Sequence, residues 1–109
     1  MSTGVCLRLL VAENRVHHHQ PRYEWLLETG RGLGIPGGTA FRAIAGFGRH
    51  DTLHEQGFFE LAGEVAVPVD FITDEALARS FLARLAEERL DLFYTLGTAE
   101  FGALGRHAP

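Results

Sequence analysis

The strongest constraint on the fold is the way apolar spacing changes along the chain. Val5, Leu7, Leu9 and Val11 recur at every second residue, the period of a strand. Tyr23, Leu26, Leu27 and Gly30 then follow the i, i+3, i+4, i+7 pattern of a helix face, behind Pro21, which suits a first helical turn. Gly32, Gly34 and Pro36 stop that helix. Strand character returns over residues 39–47, with Phe41 and Ala43 on one face, and again at Val67, Val69 and Phe71. Thr73 or Asp74 is a ready N-cap for a second helix, in which Leu77, Phe81 and Leu85 recur every four residues with Ala78 and Leu82 beside them. Residues 91–97 give a fourth strand. The order strand, helix, strand, strand, helix, strand predicts an α+β fold. Two split βαβ units of this kind make a ferredoxin-like βαββαβ layer, with helices over one face of a four-stranded antiparallel sheet.

The segments between these elements are less constrained. The polar stretch 13–20 reads as a loop, and the charged, glycine-containing stretch from 48 to about 63 as an extended loop or hairpin. Pro68 lacks an N–H, so it belongs near its strand's start or beside an unpaired edge position. Residues 1–109 are expected to form one domain, with a core of about 5–97 and a weakly specified tail, 98–109. Both faces of the first strand are largely apolar, so the uncovered sheet face is expected to be buried against partner subunits.

A net charge of −4 argues against general nucleic-acid binding. No apolar run approaches the ~20 residues that span a bilayer, so no membrane insertion is expected. The sequence begins Met-Ser-Thr-Gly, without a basic segment ahead of a hydrophobic one. The single cysteine, Cys6, sits in an apolar run and reads as an inert thiol, so a cytoplasmic location is expected.

The sharpest chemical feature is the stretch 34–50, which begins Gly-Ile-Pro-Gly-Gly-Thr and ends Gly-Phe-Gly-Arg-His. Glycines flanking a strand let backbone N–H groups approach a phosphate closely, but they serve equally well as tight turns. It is not a Walker-type loop, because the Gly-Lys-Ser/Thr ending is missing. Arg42 and Arg49 could each face an anion or simply be paired or solvated. His17, His18 and His19 could chelate a transition metal or form a solvated run, with His50, His54 and His107 as further donors. Asp70 and Asp74 have no evident base or nucleophile beside them, so no enzymatic activity is expected. Trp25 falls off the Tyr23–Leu26 helix face and reads as a contact residue.

These motifs resemble a known family. Residues 34–39 and 46–50 resemble the matching stretch of the nitrogen-regulatory PII signalling proteins. Roughly residues 5–97 resemble the short PII-like proteins still more closely, including Leu-Arg-Leu at 7–9, Phe-Arg-Ala-Ile-Ala-Gly-Phe-Gly at 41–48, His54, and Pro-Val-Asp-Phe-Ile-Thr-Asp at 68–74. The resemblance implies a signalling homotrimer that binds adenine nucleotides in clefts between subunits and regulates a partner such as a transporter or enzyme. Nucleotide binding would fall to Gly37, Gly38, Thr39, Gly46, Phe47, Gly48, Arg49 and His50. Of these, Gly37 and Thr39 would lie near the base or ribose. Gly46, Gly48 and His50 would lie on the phosphate side, at the start of a T-loop spanning 48–63.

Three departures shape the expectation. His50 replaces the glutamine usual in PII proteins. The stretch 87–91 is short and acidic, offering only Arg89 where PII proteins carry a glycine- and lysine-rich phosphate loop. The long loop is shortened and lacks the modifiable tyrosine. Together they favour ADP or AMP over ATP and disfavour 2-oxoglutarate sensing. No covalent cofactor is implied. A metal-binding trimer using the run 17–19 is the alternative.

Overall fold

The computed structural model describes residues 2–47 and 65–105. Its elements run β1 (Ser2–Ala12), β2 (Val16–His17), β3 (Gln20–Pro21), α1 (Arg22–Gly32), β4 (Gly37–Ala40), β5 (Ala66–Thr73), α2 (Glu75–Glu87) and β6 (Phe93–Phe101). Four strands form one sheet in the order β4-β5-β1-β6, every neighbouring pair antiparallel. This is the ferredoxin-like arrangement expected from the sequence.

Alternation along the strands decides which side chains meet the helices. Val5, Leu7, Leu9 and Val11 of β1 and Val67, Val69, Phe71 and Thr73 of β5 are all buried. The register sets Leu7 opposite both Phe71 and Leu96, so these side chains share the helix-covered face. α2 places Ala78, Phe81 and Leu85 on that face, and α1 contributes Leu26. Phe71 and Phe81 meet edge to face with centroids 5.0 Å apart. Each fully buried ring stabilises by roughly 1.5–3 kcal/mol, and their edge-to-face geometry adds about 0.5–1.5 kcal/mol. This pair is therefore a principal tie between α2 and the sheet.

Local chemistry fixes the helix ends. Asp74 is the N-cap of α2: its Oδ1 accepts the Leu77 N–H at 2.7 Å. Glu75 and Arg79 pair one turn apart at 3.2 Å. Pro21 directly precedes the first residue of α1. At the other end of α1 the Ile35 N–H donates to the Gly30 carbonyl, and Gly34 takes the left-handed φ of +95° that turns the chain toward β4.

Several expectations are corrected. The strand expected over 39–47 is β4, Gly37–Ala40. Its ladder continues briefly, as the Phe41 and Ala43 N–H groups donate to the Pro68 and Ala66 carbonyls. Pro68 faces β4 at that point but has no N–H to return, so the regular pairing stops. The expected loop 13–20 contains a small hairpin, with β2 paired to β3 and His17 opposite Gln20. The last strand extends to Phe101, beyond the expected 97, because the N-terminal end of β1 continues to offer partners as far as Ser2 opposite Phe101. Trp25, read as off the helix face, is only 7% exposed.

The sheet's other face carries Cys6, Arg8 and Leu10 of β1, with Pro68, Asp70 and Ile72 of β5. Arg8 makes a two-pronged bond to Asp70 directly across the strands, at 2.7 and 2.9 Å. Apolar neighbours flank this pair. Burial, reinforced by Asp70, pushes the Cys6 thiol up, in keeping with an unreactive sulfur. No helix among the described residues is long and apolar enough to cross a membrane.

Candidate functional site

A cleft of about 320 Å³ lies where the end of α1 meets the edge strand β4. Leu27 and Arg31 line its helix side, Pro36, Gly37 and Gly38 its strand side, and Phe71 takes part in the lining. This volume sits at the low end of small-molecule sites, which span ~300–1,000 Å³. The lining combines an apolar floor from Leu27, Ile35 and Phe71 with glycine backbone and two opposite charges, Glu28 and Arg31, which suits a flat polar ring with hydrogen-bonding edges.

The two glycines of this wall do different work. A Cβ on Gly38 would sit 2.8 Å from Phe71 Cε1 and 3.2 Å from Leu27 Cδ2. Gly30 on α1 presses on the same ring, its imagined Cβ 2.7 Å from Phe71 Cε1. Glycine at 30 and 38 therefore lets helix, strand and aromatic ring close together. Around Gly37 nothing lies within 4 Å of a Cβ, and pairing with Ile72 puts that position on the sheet face opposite Phe71, so Gly37 lines the cleft through its backbone.

Among the described residues β4 is an edge strand, paired only with β5. Because Phe41 and Ala43 turn their N–H groups to β5, alternation turns the N–H and C=O of Gly38 and Ala40 outward. The expected site residues Gly37, Gly38 and Thr39 thus come together at a free edge, and the first two line the cleft. Gly46 and Phe47 do not line it. Phe47 is 91% exposed, and Ile44 and Phe41 beside it are exposed as well. Gly48, Arg49 and His50, with the whole stretch 48–63 and His107, lie outside the described residues. Arg42 is paired with Glu13, and that hydrogen bond holds its guanidinium charged. Arg89 takes a left-handed φ of 60° just after α2.

A second cluster lies away from the cleft. His18 and His19 form the turn of the β2–β3 hairpin with φ of 52° and 67°. His17 and His18 each place Nε2 at 3.0 Å from Glu88 Oε1 at the end of α2, while Arg84 reaches the other carboxylate oxygen at 3.4 Å. The hydrogen bonds from His18 and His17 hold the Glu88 carboxyl down from 4.5 to about 2. Trp25 backs both imidazoles, with ring centroids 4.5 Å from His17 and 5.9 Å from His18. Sequence reasoning found the histidines but missed Glu88, which is 70 residues away from His18. His19 is not part of the cluster.

Comparison with known proteins agrees with the fold. The chain matches the DUF190 family, described as "Uncharacterized ACR, COG1993", over residues 4–100. The UPF0166 protein of Aquifex aeolicus (strain VF5) is 33% identical over 79 residues, which are 72% of this chain and 75% of that protein. The structure of CPII from Thiomonas intermedia K12, bound to ADP, AMP and acetate, matches with a TM-score of 0.64 at 13% identity, covering 94% of each chain. A putative PII-like signaling protein from Thermus thermophilus matches at 0.56 and 21% identity, covering 91% of each chain. A second structure of CPII, bound to ADP, AMP and bicarbonate, matches at 0.55 and 14% identity, covering 94% of this chain and 99% of the other.

Proposed function

The chain belongs to the DUF190 family and shares the fold of PII-like proteins, and from that premise we propose that it is a PII-like regulator that binds an adenine nucleotide, ADP or AMP, between subunits of a homotrimer. The observation that carries the reading is the cleft at Gly37 and Gly38, on a free sheet edge of a fold shared with CPII, which holds ADP and AMP in its own structures. A cleft this small and one-sided needs a second wall to enclose a nucleotide. A neighbouring subunit would supply it, and the apolar side chains around Arg8 and Asp70 on the uncovered sheet face offer a surface for that assembly.

In this reading Gly37, Gly38 and Thr39 hold the base and ribose. Gly46, Phe47, Gly48, Arg49 and His50 lead toward the phosphates. The stretch 48–63 serves as the loop whose order depends on the ligand, and a partner such as a transporter or enzyme reads that change. No chemical step is assigned to the protein.

Calorimetric titration of the assembled protein with AMP, ADP and ATP, alongside sedimentation analysis, tests this. Saturable binding near one nucleotide per chain in a trimer is expected, with AMP or ADP preferred. A folded trimer that binds none of the three at about 1 mM would overturn the reading.

A further inference from the structure

Three metal-ligating side chains converge at the hairpin: the adjacent His17 and His18, and Glu88, 70 residues beyond His18. A two-residue turn with positive φ at both positions favours glycine or asparagine, yet histidine occupies both, His18 and His19. Nothing about hairpin formation asks for histidine there. The turn carries the His18 ring beside the His17 ring, with centroids 4.3 Å apart, and aims both Nε2 atoms at Glu88 Oε1.

The spacing matches a metal's needs. The donor atoms of His17, His18 and Glu88 all lie within 4.8 Å of one another, and both nitrogen-to-oxygen distances are 3.0 Å. Zinc bonds of ~2.0–2.1 Å in tetrahedral geometry separate ligand atoms by about 3.3 Å, so small ring movements would admit the ion. The surroundings hold the donors in place. Trp25 packs against both imidazoles, and Arg84 engages Glu88 Oε2, leaving Oε1 to the histidines. His18 is 59% exposed in its side chain, which leaves a route from solvent.

We propose that His17 Nε2, His18 Nε2 and Glu88 Oε1 form a three-ligand site for a borderline divalent transition-metal ion, Zn²⁺ or Cu²⁺, with a further position open to water. Two imidazoles and one carboxylate suit these ions, whereas Mg²⁺ and Ca²⁺ call for oxygen donors. Each imidazole binds as the neutral ring with its proton on Nδ1. The site goes beyond the nucleotide reading and stands or falls separately from it.

Trp25 is the only tryptophan and touches both ligand rings, so it reports on the site directly. Metal-free protein is titrated with ZnCl₂ by calorimetry and with CuCl₂ by Trp25 fluorescence. One ion per chain and saturable quenching by Cu²⁺ are expected. Glu88→Gln and His17→Gln should each weaken binding at least about tenfold, the loss that even an outer partner of a ligand causes. His18→Asn should do the same while keeping a residue tolerant of the turn, so a fold-preserving variant is included. His19→Ala should bind as the parent does. Absence of saturable binding, binding that survives Glu88→Gln and His17→Gln, or binding lost in His19→Ala would overturn the proposal.

Discussion

Replacing Gly38 with alanine isolates the contact that shapes the cleft wall. The new methyl would lie 2.8 and 2.9 Å from two carbons of the Phe71 ring and 3.2 Å from Leu27 Cδ2. Carbon pairs are most favourable at about 3.5–4.0 Å. The ring has nowhere to retreat, being 1% exposed, pressed by Gly30 and set edge-on against Phe81. Overpacking of this kind costs about 1–3 kcal/mol. Neither Gly37 nor Gly38 has left-handed φ, so alanine also removes unfolded-chain entropy, a gain of about 0.4–1 kcal/mol. The expected net loss for Gly38→Ala is about 1–2 kcal/mol, a fall in Tm of about 4–16 °C for a domain of this size. Gly37→Ala meets no atom within 4 Å and should be neutral or slightly stabilising. Thermal unfolding by circular dichroism, at one fixed protein concentration, compares the two variants. A Gly38→Ala protein as stable as Gly37→Ala would refute the packing argument. Adding Phe71→Leu to Gly38→Ala should recover part of the loss through a coupling of about 0.5–3 kcal/mol.

Other consequences follow from single contacts. Asp74→Ala removes the N-cap of α2 and should lower stability by about 1 kcal/mol, read from the denaturation midpoint. Glu88 is held ionised in the folded protein down to about 2, below its ordinary 4.5. A carboxyl depressed on folding stabilises fully above its unfolded value, and that contribution fades as pH falls from 4.5 toward 2. The stability difference between the parent and Glu88→Gln, measured with chelator present, should therefore shrink as pH falls from 4.5 toward 2. Arg31→Ala removes the guanidinium that lines the cleft from an exposed position on α1, so nucleotide affinity should fall in calorimetry with no matching loss of Tm.

Much of the fold was legible because burial is written as periodicity. The alternation in β1 and β5 and the four-residue spacing of Leu77, Phe81 and Leu85 place the core where it is found. Asp74 and Glu75 announced the start of α2. The length of β4 was hidden, because the apolar run after Ala40 looks like strand and only the pairing reveals that Pro68 cannot return a hydrogen bond. The hairpin was hidden for a related reason: its turn uses His18 and His19 rather than asparagine and glycine, so no turn signal marks it. Trp25 looked peripheral because α1 does turn it off the Tyr23–Leu26 face; the β2–β3 hairpin is what covers it. The glycines of the site were visible as a motif, but their separate duties at 37 and 38 depend on Phe71, a contact no local pattern encodes.

The central claim is that the free edge at Gly37, Gly38 and Thr39 forms one wall of an adenine-nucleotide site. Titrating ADP and AMP into isotope-labelled protein while following backbone amides by NMR tests it most directly. Saturable shifts at these three residues are expected, with the outward-facing Gly38 amide among the largest, and a higher nucleotide concentration should be needed to reach them in Arg31→Ala. Saturable nucleotide binding that leaves these amides unmoved would contradict it, as would shifts that appear at the same nucleotide concentration in Arg31→Ala.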